Sequence, residues 1–176
     1  MVTRGGRPPA NPPPRGEHPR VDDVRRVAAA VADPEIPVLT IDDLGILRDV
    51  RVDVSGHVDV DITPTYSGCP ALDVIRAEVG QRIAASGYPD VTVHVVLSPA
   101  WTTEWMSEGG RRKLREHGIA PPRQRMDGAR LVPLAVACPV CNSPHTAEVA
   151  HFASTPCQAL RRCSGCSEPF SHFKEH

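Results

Sequence analysis

The C-terminal part of the sequence carries two pairs of cysteines with the spacing Cys-x-x-Cys. The pairs are Cys138 with Cys141 and Cys163 with Cys166, and 21 residues separate them. Two tight turns of this kind can place four thiolates at the corners of a tetrahedron, the geometry that Zn²⁺ prefers. A unit of about 45 residues has little core of its own, so a metal ion would supply much of its stability. The pattern therefore predicts a small zinc ribbon over residues 131–176, with these four cysteines binding one zinc ion.

Two other interpretations of the cysteine pairs stay open at this stage. Four thiolates can also hold iron or an iron-sulfur cluster. They could instead form two disulfides in an oxidising compartment, but the N-terminus lacks the apolar segment of a secretory signal. No run approaches the about 18 apolar residues of a membrane helix. We therefore expect a cytoplasmic protein that has no membrane partner. Cys157 lies outside both pairs and is either a small buried residue or a reserve ligand.

The residues before the ribbon divide by composition. Residues 1–20 contain six prolines and almost no large apolar side chain, which predicts a disordered leader. Residues 21–120 alternate helical and strand patterns, and the polar stretch 121–130 is typical of a linker. The formal charge is -7 over residues 21–98 and +3 over residues 99–176. This distribution argues against nucleic-acid binding by the first domain.

Periodicity predicts an α+β fold for residues 21–120, with helices packed on a small sheet. A helix is expected from Val21 to about Ala32, then a carboxylate-rich loop. Alternating runs on either side of Ser55-Gly56 predict a β-hairpin in which Val50, Val52 and Val54 share one face. A second helix follows Pro70, a strand covers 91–97, and a further helix covers 101–118.

Cys69 is the other candidate functional residue. The order Gly68-Cys69-Pro70 places its sulfur at the start of the second helix, where unpaired amides and the helix dipole are expected to lower a thiol pKa. A metal site there would need further ligands from a second copy of the chain, from a partner, or from Asp33, Glu35 and Thr63. A buried structural cysteine is the plain alternative. A catalytic nucleophile has less support, because the nearest candidate bases, His57 and His94, lie in predicted strands.

Several motifs resemble those of a known family. Asp33-Pro-Glu-Ile-Pro-Val-Leu39, Asp43-Leu-Gly45 and Thr63-Pro-Thr-Tyr-Ser-Gly-Cys-Pro70 resemble SufT-like domains associated with iron-sulfur protein assembly. With Pro99-Ala-Trp-Thr-Thr-Glu-Trp-Met-Ser107 and the paired cysteines of the tail, the chain resembles the PaaD family. The resemblance covers about 140 residues, and it implies a SufT-like domain followed by a zinc ribbon.

The resemblance also implies a function. Members of the PaaD family are accessory proteins of aerobic phenylacetate degradation that support a multicomponent phenylacetyl-CoA epoxidase. That epoxidase has a di-iron oxygenase and an iron-sulfur reductase, which would be the partners. Cys69 then corresponds to a transient ligand for iron or an iron-sulfur cluster, and Asp33 to the acidic residue beside it. The alternative is a non-catalytic structural or docking subunit of the epoxidase. Neither interpretation makes the chain an enzyme, and both leave a homodimer open.

Overall fold

The computed structural model describes residues 21–123 and 135–175. The predicted leader 1–20 and most of the predicted linker lie outside the described residues. The described helices are α1 (Val21–Ala29), α2 (Leu72–Ala85), a short 3-10 helix (Thr103–Trp105) and α3 (Glu108–Glu116). The described strands are β1 (Leu47–Val52), β2 (Val58–Ile62), β3 (Val91–Val95), β4 (Ile119–Ala120), β5 (Thr146–Ala150), β6 (Gln158–Cys163) and β7 (Pro169–Phe173). None of the described helices is long and apolar enough to cross a membrane.

The elements α1 to α3 form a first unit around a three-stranded sheet of order β1-β2-β3. β1 and β2 pair antiparallel and confirm the predicted hairpin, while β3 lies parallel to β2. The parallel pair requires a crossover, which α2 provides. Ile75, Val79 and Ile83 recur at intervals of four residues on α2, and all three are buried. The α+β fold predicted from periodicity is thus confirmed.

Four predicted boundaries are wrong, and each has a local cause. α1 ends at Ala29 because Ala32 forms an antiparallel bridge with Thr40. β1 ends at Val52, and Val54 is 97% exposed in the turn that follows. β3 ends at Val95, which leaves Leu97 exposed. The single helix predicted over 101–118 is two helices, because Ser107 caps a new helix by accepting a hydrogen bond from the amide of Gly110.

The Asp42–Gly45 loop packs so closely against later segments of the chain that glycine is required at two positions, Gly45 and Gly110. Gly45 has φ +69°, and a Cβ there would lie 2.5 Å from the carbonyl oxygen of Trp105. A Cβ at Gly110 would lie 2.9 Å from the carbonyl oxygen of Asp43. The indole of Trp101 donates to the Leu44 carbonyl at 2.9 Å. Trp101 is therefore a core residue that ties this loop to the segment leading into α3.

A second unit consists of β4 to β7 in one sheet of order β4-β7-β6-β5. β5, β6 and β7 are antiparallel neighbours, and β4 runs parallel to β7. β4 lies inside the range 21–120 that the sequence assigns to the first domain, and its pairing with β7 joins the two units. The boundary at residue 120 stays a prediction.

The two units also share core residues at a junction formed by β4, Cys157 and Phe173. Cys157 and Phe173 are buried within the apolar core of the first unit. The rings of Phe173 and Trp101 have centroids 6.2 Å apart. Arg111 of α3 is buried and donates hydrogen bonds to the carbonyls of Pro122 and Thr103. The ribbon therefore packs against the first unit through one end of its sheet.

Candidate functional site

The four cysteines of the Cys-x-x-Cys pairs converge at the other end of the second sheet. The Cys138 Sγ lies 3.7 Å from the Cys166 Sγ, and the Cys141 Sγ lies 3.6 Å from the Cys163 Sγ. All four sulfurs lie within 4.8 Å of one another. Metal–sulfur bonds of about 2.3 Å in tetrahedral geometry separate the sulfurs by about 3.8 Å. The four thiols therefore fit a tetrahedral metal ion.

The two cysteine loops have the same backbone geometry. The residue after each second cysteine adopts a left-handed conformation, with φ of 58° at Asn142 and 66° at Ser167. The amide of Cys138 donates to the carbonyl of Ser143, and the amide of Cys163 donates to that of Glu168. Equivalent backbone hydrogen bonds therefore close the two loops.

Backbone amides favour the thiolate form of Cys163, whereas burial and the thiols of the other three cysteines raise the pKa of Cys166 to about 12. The amides of Cys166 and Gly165 approach the Cys163 sulfur, that of Gly165 at 3.2 Å, and they lower the pKa of Cys163 to about 6. Metal ions bind the thiolate. The alternative of two disulfides does not fit, because a disulfide bond is about 2.05 Å long and all six cysteines are free thiols. The arrangement suits zinc and iron equally.

A second group of polar residues surrounds Cys69 in the first unit. Asp33 is only 6% exposed, and its Oδ1 accepts hydrogen bonds from the amides of Glu35 and Ile36 at 2.8 Å each. Burial nevertheless raises the pKa of Asp33. Burial and the charge of Asp33 likewise raise the pKa of Glu35. Two adjacent carboxylates with raised pKa values therefore stand together in this loop.

The Cys69 thiol is subject to the charges of both carboxylates. The amides of Ala71 and Leu72 approach its sulfur from the start of α2, as the sequence predicts. The predicted fall in its pKa is wrong, however, because burial, together with the charges of Glu35 and Asp33, outweighs the amides and raises the pKa of Cys69. The thiol is half-buried, and its surroundings favour the protonated form.

Other residues considered from sequence lie apart from this group. Thr63 is 2% exposed directly after β2, and in the described part of the chain no hydrogen bond joins its hydroxyl to Cys69 or to either carboxylate. His94 contacts Asp59 at 2.6 Å and His57 contacts Asp90 at 3.0 Å. Both histidines pair with carboxylates near the strand edges, so neither is placed as a base for Cys69.

The sequence analysis does not single out Tyr66, and it does not place Cys157 in the core of the first unit. Burial, followed by the charges of Cys69, Glu35 and Cys157, raises the pKa of Tyr66 to about 12. The charges of thiols from both units thus act on Tyr66. Its position in the same motif as Cys69 was a usable signal. The position of Cys157 had no such signal, since the chain separation from Cys69 is 88 residues.

Comparisons with known proteins match the two units separately. Residues 21–96 match the family model of an iron-sulfur cluster assembly protein, and residues 123–174 match that of the PaaD zinc beta ribbon domain. The chain is 45% identical over 156 residues to an Escherichia coli K12 protein named as a putative subunit of 1,2-phenylacetyl-CoA epoxidase. The match covers 89% of this chain and 93% of that relative. The chain belongs to the PaaD family.

The first unit also matches shorter proteins by itself. An Fe-S protein maturation auxiliary factor of Porphyromonas gingivalis is 36% identical over 88 residues, covering 49% of this chain and 83% of that protein. A solved domain of unknown function from Bacillus anthracis is 28% identical, with a TM-score of 0.50, covering 53% of this chain and 89% of the domain. The PaaD family thus joins an assembly-type domain to a metal-binding ribbon.

Proposed function

We propose that the chain is an accessory protein that supports the assembly of iron or iron-sulfur centres in a phenylacetyl-CoA epoxidase, and that it is not itself an enzyme. Its partners are the di-iron oxygenase or the iron-sulfur reductase of that complex. The E. coli relative is named as an epoxidase subunit, and relatives of the first unit are named as Fe-S maturation factors. These names support the proposal.

The observation that carries the proposal is the pairing of a half-buried thiol with two carboxylates. The charges of Glu35 and Asp33 act on Cys69, and among the described residues no lysine, arginine or histidine forms an ion pair with either carboxylate. A thiol with adjacent carboxylates is a donor set for iron, while its partial exposure allows a cargo to enter and leave. Asp33 and Cys69 are therefore the proposed ligands, with Glu35 as a further candidate; Thr63 is buried directly after β2.

The ribbon takes a structural role in this proposal. Zinc is the ion that we assign to Cys138, Cys141, Cys163 and Cys166, because four thiolates complete a closed tetrahedral site with no open position for chemistry. The matching family model is that of a zinc ribbon. Zinc would hold the ribbon in place, and the ribbon would present a surface to the epoxidase.

A second candidate function is a docking subunit without any part in metal delivery. The exposed apolar side chains of the ribbon favour it: Val140, Val149 and Phe152 are each more than 60% exposed. Apolar side chains concentrated on a small unit are typical of interaction surfaces. In this alternative, Cys69 is only a packed thiol.

Replacing Cys69 with serine separates the two functions. Cys69→Ser changes one atom at a half-buried position, so we expect a loss of stability of about 1 kcal/mol or less. Epoxidase matured beside the variant should contain less iron and turn over more slowly, although the variant still binds its partners. The measurement is iron, acid-labile sulfide and turnover of the purified epoxidase.

Ser67→Ala is the matched control, because Ser67 is exposed two residues before Cys69 in the same loop. This variant should leave the iron content of the epoxidase unchanged. Full iron content and full turnover with Cys69→Ser would contradict the assembly function and favour the docking subunit.

A further inference from the structure

β3 forms an open edge of the first sheet. It pairs with β2 in the order β1-β2-β3, and among the described residues no strand lies on its other side. The strand Val91–Val95 contains no lysine, no proline and no bulge, the features by which edge strands avoid pairing with other chains. The edge is therefore open to a further strand.

The pairing with β2 determines which backbone groups of β3 reach the open edge. The Asp90 carbonyl accepts from the Val58 amide, and the Val96 amide donates to the Ile62 carbonyl. Backbone groups alternate in direction along a strand, so the even-numbered residues of β3 point toward β2. The groups that point to the open edge are consequently the amides and carbonyls of Val91, Val93 and Val95. One extended chain can pair with all of them.

A groove beside this edge can receive side chains of an added strand. It has a volume of about 500 Å³ and lies between α2 and β3. Val91 and Val93 line it on the β3 side, and Ala77 and Gly80 line it on the α2 side together with polar residues of that helix. A Cβ at Gly80 would meet no atom within 4 Å. Residues paired with the valines point to the same side of the sheet, so apolar side chains would enter this groove.

The opposite face of the sheet is acidic. By strand register, the residues on this face are Asp49 and Arg51 of β1, Asp59 and Asp61 of β2, and Thr92 and His94 of β3. Three aspartates against one arginine leave a formal charge of -2 when His94 is neutral, within the charge of -7 over residues 21–98. Side chains of an added strand that point to this face are therefore expected to be basic.

A second copy of the chain does not fit this edge. α2 packs against β3, while α1 packs against β1. If β3 paired with the β3 strand of a second copy, the two α2 helices would lie about one strand spacing apart, roughly 5 Å. Packed helices need about 8–10 Å between their axes. The edge therefore suits a single extended segment that has no covering helix.

We propose that the open edge of β3 binds an extended segment of a partner protein in which apolar side chains alternate with lysine or arginine. Backbone hydrogen bonds to Val91, Val93 and Val95 attach the segment, the groove takes its apolar side chains, and the acidic face takes its basic ones. This inference goes beyond the proposed function, because it needs neither Cys69 nor a metal ion. It assigns a recognition surface to the first unit, whereas the docking alternative uses the ribbon.

Binding of a synthetic peptide to the intact chain tests the proposal. The probe is a fluorescein-labelled peptide of sequence Lys-Val-Lys-Val-Lys-Val-Lys, and the same peptide with glutamate in place of lysine is its control. Fluorescence anisotropy should show that the lysine peptide binds about tenfold tighter or more. Saturation with this peptide should slow hydrogen exchange of the Val91, Val93 and Val95 amides about tenfold or more. The amides of Thr92 and His94 point to β2 and should not change.

Val95→Pro blocks the open edge and spares the pairing with β2, because the amide that it removes points outward. Val95 is 38% exposed, so the replacement opens no large cavity. The variant should weaken binding of the lysine peptide about tenfold, whereas the matched control Val95→Ala keeps the amide and should stay within about twofold of the wild type. Equal binding by the two variants would overturn the proposal.

Other results would also overturn it: no binding of the lysine peptide, equal binding of the glutamate peptide, or slowed exchange that spares the β3 edge. Edge amides protected in the free protein until dilution would indicate a second copy, and protection lost on removal of residues 1–20 would indicate that segment; either result contradicts the proposal. Should Val95→Pro fail to fold, the exchange pattern of the wild type decides. Because neither epoxidase nor cargo metal is present, failure here leaves the assembly function standing.

Discussion

The two units of this chain are stabilised by different means. The core of the first unit contains twenty-one of its own buried residues and receives Cys157 and Phe173 from the ribbon. The ribbon core has five buried residues, of which two are metal-binding cysteines: Ala120, Val136, Cys138, Cys163 and Phe170. Burial of apolar surface can fold the first unit, whereas the second has too little of it. We therefore expect the ribbon to need a metal ion for its stability and the first unit to fold without one.

The ribbon sheet combines the two means of stabilisation, metal binding at one end and burial of apolar surface at the other. At one end, Cys163 holds the metal-binding loop, and at the other, Phe173 lies in the core of the first unit. Loss of the metal ion should therefore loosen the ribbon from the cysteine end, while the junction end stays attached. The following predictions test this difference in order of decreasing effect.

The largest effect is expected from removing one ribbon ligand. Cys141 is exposed, so Cys141→Ser removes a ligand without opening a cavity. Structural zinc sites contribute about 10–16 kcal/mol of binding free energy in small metal-dependent domains. The variant should lose its zinc and the protection of β5 and both cysteine loops, while the first unit stays folded. Zinc content and amide hydrogen exchange measure both outcomes.

Ser164→Ala provides the control for the ligand variant, because Ser164 is an exposed non-ligand residue between Cys163 and Cys166. It should retain zinc and full exchange protection. A Cys141→Ser protein that keeps a protected ribbon without metal would show that the packing at the junction suffices to fold it.

The next variant tests the first unit by removing apolar volume from its core. Ile83 is fully buried on α2, so Ile83→Ala should lower the free energy of unfolding by about 2–5 kcal/mol. This loss should be the same with or without a zinc chelator, because the metal lies in the other unit. Chemical denaturation followed by tryptophan fluorescence measures it, since Trp101 and Trp105 both lie in the first unit.

Val54→Ala is the control for the core variant, because Val54 is 97% exposed and should tolerate the change within about 0.5 kcal/mol. If the loss of unfolding free energy in Ile83→Ala doubled in the presence of the chelator, the two units would unfold together. That result would contradict the difference in stabilisation between the two units.

The features that the sequence predicts correctly depend on residues close together in the chain. Three features illustrate this: the buried face of α2, the hairpin around Ser55-Gly56 and the two Cys-x-x-Cys loops. Each depends on contacts between residues that are near neighbours in the sequence. Local spacing determines them, so periodicity and turn chemistry are sufficient. The sulfurs of the four Cys-x-x-Cys cysteines lie close together because two loops of similar backbone geometry meet there.

The features that the sequence does not predict depend on distant contacts. The pKa of Cys69 rises rather than falls because of burial and the charges of Glu35 and Asp33, which reach it from a loop more than thirty residues earlier. Cys157 enters the core of the first unit from the ribbon, and nothing in its local sequence indicates this. Likewise, Gly45 is required by the approach of Trp105, which lies sixty residues away. Local patterns carry no information on such encounters.

Asp43 supplies a third kind of stabilisation in the first unit, which is electrostatic. It joins the Asp42–Gly45 loop to α3 through a 2.5 Å ion pair with Lys113. The same carboxylate accepts hydrogen bonds from the amide and the hydroxyl of Thr40. Burial opposes the charged form, but the ion pair with Lys113 and the hydrogen bonds from Thr40 outweigh it and lower the pKa of Asp43 below its ordinary value of 3.8. The charged carboxylate is thus preferred in the folded state.

The smallest expected effect follows from this lowered pKa. A carboxylate whose pKa is lower in the folded state contributes stability above its unfolded pKa and loses it as pH falls through the folded pKa. Asp43→Asn should therefore cost about 1 kcal/mol at pH 7, with Lys113 partly exposed and screened by solvent. The difference between wild type and variant should shrink as the pH falls from about 5 to below the ordinary value of 3.8. Because protonation of the ribbon thiols affects both proteins equally, the difference in tryptophan-monitored unfolding isolates Asp43. A difference that stays constant over this range would mean that Asp43 acts through its hydrogen-bonding shape and not through its charge.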